Sequence, residues 1–135
     1  MKIGFTTSTF DLLHTGHILM LQEAKEQCDY LICGLHVDPS IEREEKNKPI
    51  QSLYGRFIQL KAVKYVDEII PYSTEDELLV ILQTNNINIR IIGEDYWGRN
   101  YTGKFLIDNE QMEVYYNKRR HDYSSSELRS RIAKK

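Results

Sequence analysis

Two histidines stand three residues apart, with a glycine between them, in the run Thr9-Phe10-Asp11-Leu12-Leu13-His14-Thr15-Gly16-His17. At the start of a helix, residues three apart share one face. Gly16 removes a side chain where a phosphate could approach backbone amides. The amino end of a helix presents N–H groups and partial positive charge, which suits a phosphate. Two imidazoles there can donate hydrogen bonds to phosphoryl oxygens as charge shifts during a displacement. A pair of solvated surface histidines is the plainer alternative. The placement after a strand and before a helix, with Thr9 and Asp11 upstream, weighs against it.

The elements that must hold this pair alternate along the chain. Apolar runs predict strands over residues 2–8, 30–37, 66–70, 88–92 and 112–116. Helices are predicted over 15–27, 52–64, 75–84 and 124–132. Ile18, Leu19, Leu21, Ala24 and Cys28 form the inward stripe of the first helix, and Leu53, Phe57, Leu60 and Val63 that of the second. Pro71 is read as the stop of the third strand, and 93–103 as a polar and aromatic loop. Strand–helix alternation at this spacing predicts an α/β fold: a Rossmann-like, doubly wound parallel sheet of five strands with helices on both faces. Ligands of such sheets bind beyond the carboxyl ends of the strands, at the switch in strand order.

The chain has 135 residues, 41% hydrophobic and 28% charged, with a net charge of −2. That length predicts one domain spanning 1–135. The near-neutral balance is not that of a general nucleic-acid binder. Seven Lys or Arg lie beyond residue 116, against Asp122 and Glu127, which suggests a local anion site at a basic end. Cys28 and Cys33 match neither a redox nor a zinc spacing, and Cys33 sits in an apolar run as a buried thiol. No stretch reads as a signal peptide or a membrane span, so a cytoplasmic protein without a membrane partner is expected.

The histidine run resembles the signature of the cytidylyltransferase family within the nucleotidyltransferase superfamily, closest to its glycerol-3-phosphate type. The resemblance extends over nearly the whole chain. It includes Tyr65-Val66-Asp67-Glu68-Ile69-Ile70-Pro71, an Arg nine residues before Tyr65, and a Ser-rich carboxyl-terminal motif. It implies that His14 and His17 contact the nucleotide phosphates and stabilise the transition state. It implies that Thr9, Phe10, Asp11 and Gly16 belong to the nucleotide site, with Asp11 either ordering the loop or lying near metal-bound phosphates. Lys46 and Lys48 are implied to reach phosphates, Lys46 in catalysis and Lys48 toward the acceptor. Arg56 matches a family Arg and is implied to clamp the acceptor phosphate by a bidentate contact.

The run Gly93-Glu94-Asp95-Tyr96-Trp97-Gly98-Arg99 is similar to the family's Gly-Asp-Asp-Trp-x-Gly-Lys. Gly93 and Asp95 are thereby implied at the nucleotide, and Tyr96 and Trp97 at the acceptor wall. A small apolar cluster under a long loop is the alternative for these aromatics. The segment Arg119-Arg120-His121-Asp122-Tyr123-Ser124-Ser125-Ser126 aligns with Arg-Thr-Glu-Gly-Ile-Ser-Thr-Thr. Ser124, Ser125 and Ser126 would open the last helix, with Glu127 closing a capping box, and would bind phosphates together with Arg119.

The chain departs from the family at Ser8, usually Gly, at His121 and Asp122, and in the longer loop from Tyr96 to Phe105 with its Gly103-Lys104. The resemblance implies transfer of CMP from CTP to a small phosphorylated acceptor, glycerol 3-phosphate favoured, with release of pyrophosphate. Mg2+ would travel with the triphosphate rather than on a protein metal site, and a homodimer is implied. An adenylyltransferase using ATP with a sugar phosphate shares the same histidine machinery. A non-catalytic nucleotide-binding module is the third reading.

Overall fold

The computed structural model describes residues 1–118 and Ile132. Five short strands form one sheet: β1 (Ile3–Ser8), β2 (Tyr30–His36), β3 (Glu68–Tyr72), β4 (Ile89–Gly93) and β5 (Glu113–Asn117). Their spatial order is β3-β2-β1-β4-β5, and all four pairings are parallel. The chain winds outward from β1 through β2 to β3, then crosses back to β4 on the other side of β1. That reversal beside β1 is the switch point where a parallel sheet opens a cleft at its carboxyl end.

Helices cover both faces, because strands buried on two sides leave two apolar surfaces to fill. On one face, Leu21 and Ala24 of α1 (Thr15–Lys25) and Leu60 of α2 (Leu53–Lys61) pack on Leu31, Cys33, Ile89 and Ile91. On the other face, Leu78, Ile81 and Leu82 of α3 (Glu75–Thr84) and Leu106 of α4 (Lys104–Asp108) pack on Phe5, Ile32 and Tyr72. Cys33 is fully buried, and burial pushes its thiol pKa well up, so it stays protonated and inert. Leu19, counted in the inward stripe of the first helix, is 40% exposed, since the buried side of α1 is narrower than that stripe.

Two local expectations change. Pro71 does not stop the third strand but lies inside β3, paired with Leu35. β3 is an edge strand, where a residue without an N–H is tolerated. The loop after β4 contains the extra helix α4, opened by Gly103 at φ 84°. A β-carbon there would also stand 2.6 Å from a Leu82 methyl, so Gly103 serves both the turn and the close approach. The helix expected over 124–132 lies, apart from Ile132, outside the described residues.

Candidate active site

His14 is the N-cap of α1. Its Nδ1 accepts from the Gly16 amide at 2.9 Å, while His17 Nδ1 accepts from the His14 amide at 3.1 Å. The two imidazoles thus form a reciprocal capping box of the kind Ser and Glu usually make. With Nδ1 accepting in each ring, the neutral tautomer of both carries its proton on Nε2. The ring centroids are 4.2 Å apart, so the rings lie together on one side of the helix start. Gly16 is buried beneath them.

The segment that delivers this pair is tied down on both sides. Asp11, 1% exposed, accepts from the amides of Ile50 at 2.8 Å and Gln51 at 2.9 Å. Gln51 returns the contact, its Oε1 accepting from the Leu12 amide at 2.7 Å. Of the two roles expected for Asp11, its described bonds are those of loop ordering. Phe10 and Leu12 flank it at φ 50° and 51°, a left-handed conformation that costs non-glycine residues of order 1 kcal/mol. The Phe10 ring is fully buried in the α1-side core, 5.8 Å from the His17 ring. Only the Phe10 backbone is left to serve a nucleotide, because its side chain is needed for packing.

Arg56 is 2% exposed, and each guanidinium nitrogen donates to backbone carbonyls. Nε donates to Gln51 (3.1 Å), Nη1 to Thr9 (3.1 Å) and His36 (2.8 Å), and Nη2 to Val37 (2.7 Å). Burial lowers its pKa, and Asp11 and Asp38 offset part of that. The expected clamp on an acceptor phosphate is therefore replaced by a latch. Arg56 fastens the carboxyl ends of β1 and β2 to the start of α2, with each of its three nitrogens engaged in that task.

A cavity of about 760 Å3 opens at the carboxyl end of the sheet. Every strand contributes its last residue to the lining: Ser8, His36, Tyr72, Gly93 and Asn117. Thr9, Lys46, Gly93 and Tyr96, all expected at the site, line it. The imidazoles of His14 and His17 do not line it; the cavity meets Thr6, Thr7, Ser8 and Thr9 just before them in the chain, and Met20 on α1. Lys48, Asp95 and Trp97 are not lining residues, and Trp97 is 72% exposed. A β-carbon at Gly93 would lie 2.5 Å from Asp95 Oδ1, so the Asp95 carboxylate lies against Gly93, where a larger residue would collide with it. Arg119, Ser124, Ser125 and Ser126 lie outside the described residues.

Among the lining residues missed from the sequence are His36, Arg90 and Asn117. All are buried, and His36 Nε2, Arg90 Nε and Asn117 Oδ1 lack a hydrogen-bond partner among the described residues. Buried polar atoms are nearly always paired, so three such atoms around one cavity mark a ligand surface. One signal was legible: Arg90 interrupts the apolar run Ile89-Arg90-Ile91-Ile92 in a strand covered on both faces. His36 and Asn117, each at a strand end, carried no comparable mark.

The profile of the cytidylyltransferase-like family matches residues 5–131. The chain is 33% identical over 133 residues to the glycerol-3-phosphate cytidylyltransferase of Bacillus subtilis (strain 168), covering 98% of each chain. It is also 33% identical over 108 residues to the bifunctional protein HldE of Caulobacter vibrioides, covering 79% of this chain but only 22% of that protein. Among solved structures, a lipopolysaccharide core biosynthesis protein from Thermoplasma volcanium superposes with a TM-score of 0.67 at 24% identity, covering 92% of this chain and 99% of that one. A pantoate-beta-alanine ligase from Francisella tularensis gives 0.62 at 19% identity, covering 93% and 61%. These two show the fold. The family profile and the full-length relative show more: the chain belongs to the cytidylyltransferase-like family and is a nucleotidyltransferase.

Proposed function

We propose that the protein transfers CMP from CTP to a small phosphorylated acceptor, glycerol 3-phosphate favoured, and releases pyrophosphate. The observation that carries this reading is the imidazole pair capping α1, with both Nδ1 atoms held by backbone amides. That arrangement directs the chemistry to the two Nε2–H groups, beside a helix amino terminus. The full-length likeness to a glycerol-3-phosphate cytidylyltransferase supports CTP and the acceptor.

A phosphate oxygen of the acceptor attacks the α-phosphorus. The bond from the α-phosphorus to the oxygen bridging to the β-phosphorus breaks, and pyrophosphate leaves with that electron pair. The attacking phosphate is already ionised near pH 7, so no protein base is needed. His14 and His17 stabilise the charge that builds on the phosphoryl oxygens, and Lys46 adds its positive charge from the loop before α2. Arg119 and Ser124 to Ser126 are proposed for the terminal phosphates.

Mg2+ would be held mainly by the triphosphate, whose charge it would neutralise, rather than by protein ligands. The described residues offer one candidate cation cluster, His36, Glu42 and Glu75. It does not fit Mg2+: Glu75 is paired with Arg43 at 2.7 Å, and His36 offers nitrogen where this hard ion takes oxygen. A homodimer is also proposed. Tyr54 and Ile58, four apart on α2, are exposed, as is Ile50 just before the helix, and a second copy would cover them. Sedimentation at the expected monomer mass would remove that part.

The test is pyrophosphate release from CTP and from ATP across a panel of phosphorylated acceptors, with product masses read by mass spectrometry. CTP with glycerol 3-phosphate is expected to give the CDP-linked product. Turnover with ATP alone would move the reading to an adenylyltransferase.

A further inference from the structure

On its α3 side the cavity is walled by His36, stacked on Tyr72, and by Arg90. Three segments meet there: the loop after β2, which carries Arg43 and Lys46, the loop after β4, which carries Thr102, and the start of α3. All three are tied at one residue, Glu75, the first of α3. Its Oε1 accepts from Arg43 Nη2 at 2.7 Å and from the Thr102 hydroxyl at 3.3 Å. Its backbone amide donates to Glu42 Oε1 at 2.9 Å. We infer that Glu75 is a positioning residue for the transfer step: it holds the loop that carries Lys46 in place at the cavity, so that the ammonium reaches the nucleotide phosphates. The inference rests on the nucleotidyl-transfer reading above and adds a residue which that reading does not use.

An acidic residue in the first turn of a helix ordinarily serves the helix itself. At α3 that service is already supplied. Thr74 Oγ1 accepts from the Glu77 amide at 3.1 Å, and Glu77 Oε2 accepts from the Ser73 amide at 3.1 Å. Of the acidic residues in that turn, Glu75, Asp76 and Glu77, Glu75 is the one that lines the cavity. A bare carboxylate on a wall that receives a triphosphate would repel it. Arg43 neutralises that charge, and the pairing ties the loop to α3.

The loop passes the restraint to Lys46 through its own backbone. The Arg43 amide donates to the Pro39 carbonyl at 3.0 Å, and the Lys46 amide to the Arg43 carbonyl at 3.0 Å. Residues 39–46 are thereby wound into successive turns, and fixing Glu42 and Arg43 fixes the backbone that bears the Lys46 side chain. A lysine side chain loses much rotamer freedom when it is held on a phosphate. A backbone held in advance leaves less to be ordered when the substrate arrives. The Arg43 and Glu75 side chains are 39% and 30% exposed, so their pair adds little to global stability. The effect of losing Glu75 therefore falls on transfer more than on folding.

The experiment is a double-mutant cycle of Glu75→Ala with Lys46→Ala in the full chain, using MgCTP and glycerol 3-phosphate. Glu75→Ala is expected to lower kcat by about tenfold or more, with the melting temperature within about 4 °C of the wild type. Glu75→Gln keeps an oxygen acceptor and loses the charge, and is expected to fall between the two. In the Lys46→Ala background the same Glu75→Ala change is expected to cost less than about twofold, because the group it positions is gone. Equal losses in both backgrounds, as a general structural defect would give, would overturn the inference, and so would wild-type turnover in Glu75→Ala or in Lys46→Ala. Where Glu75→Ala does not fold by circular dichroism, Glu75→Gln carries the cycle. Hydrogen exchange reads the restraint without turnover: the amides of residues 42–48 are expected to exchange faster in Glu75→Ala, and unchanged rates would overturn the inference even where transfer proceeds. No pyrophosphate from the wild type with any nucleotide and acceptor would instead defeat the transfer reading, and with it the part of Glu75 in transfer, whatever the exchange rates.

Discussion

The segment after β1 and the α3-side wall of the cavity are both rich in buried polar groups, but they are finished differently. Around residues 9–14, Asp11 and Arg56 have every polar side-chain atom bonded to backbone: two amides on the carboxylate, four carbonyls on the guanidinium. Along the wall, His36 Nε2 and Arg90 Nε are left without protein partners among the described residues. A saturated network spends its bonds on holding backbone in place, whereas an unsaturated one keeps them for a ligand. Charged type alone does not separate the two: Arg56 and Arg90 are both buried arginines at one end of one sheet, yet one is a latch and the other faces the cavity.

The largest loss of stability is expected at Arg56. Arg56→Met strands carbonyls from Thr9, His36, Val37 and Gln51 and is expected to cost about 3 kcal/mol or more in chemical denaturation. An unchanged denaturation midpoint would show that Arg56 does not hold these segments. Asp11→Ala removes the acceptor of two amides and is expected to cost about 2 kcal/mol, with a fall in kcat as the histidine segment loosens.

His36 makes the cavity wall sensitive to pH. Its folded-state pKa lies below the unfolded value of about 6.5, with burial the main cause, partly opposed by Glu75 and Glu42 and reinforced by Arg43. The folded state therefore resists protonation. The contribution of His36 is fully present above the unfolded pKa and is lost as pH falls below it. In thermal melts from pH 7.5 to 5, wild type should lose stability relative to His36→Phe toward acid, and parallel curves would contradict the assignment. The smallest effect is expected at Trp97, which is 72% exposed and away from the cavity lining. Trp97→Ala should change stability by less than about 0.5 kcal/mol and leave acceptor KM nearly unchanged.

The parallel sheet was legible because its strands are short apolar runs separated by helical stripes, and α3 fell on its expected bounds of Glu75–Thr84. β3 shifted because a proline reads as a strand stop until the strand is known to lie at an edge. α4 was hidden because five residues are too few to show a helical period. At the site, the histidine pair could be read from spacing, since a strand-to-helix turn fixes their relation locally. The bonds of Arg56 could not, because its partners come from segments 5 to 47 residues away. Long-range partners decide whether a charged side chain holds the fold or faces a substrate, and sequence type does not reveal them.

The capping imidazoles of His14 and His17 are proposed to carry the transfer. The most direct measurement is single-turnover formation of product from CTP by His14→Ala and His17→Ala, with folding checked by circular dichroism. Each is expected to slow the chemical step by about 10²-fold or more, the scale of losing one donor to a developing oxyanion. Full turnover in either folded variant would contradict the account.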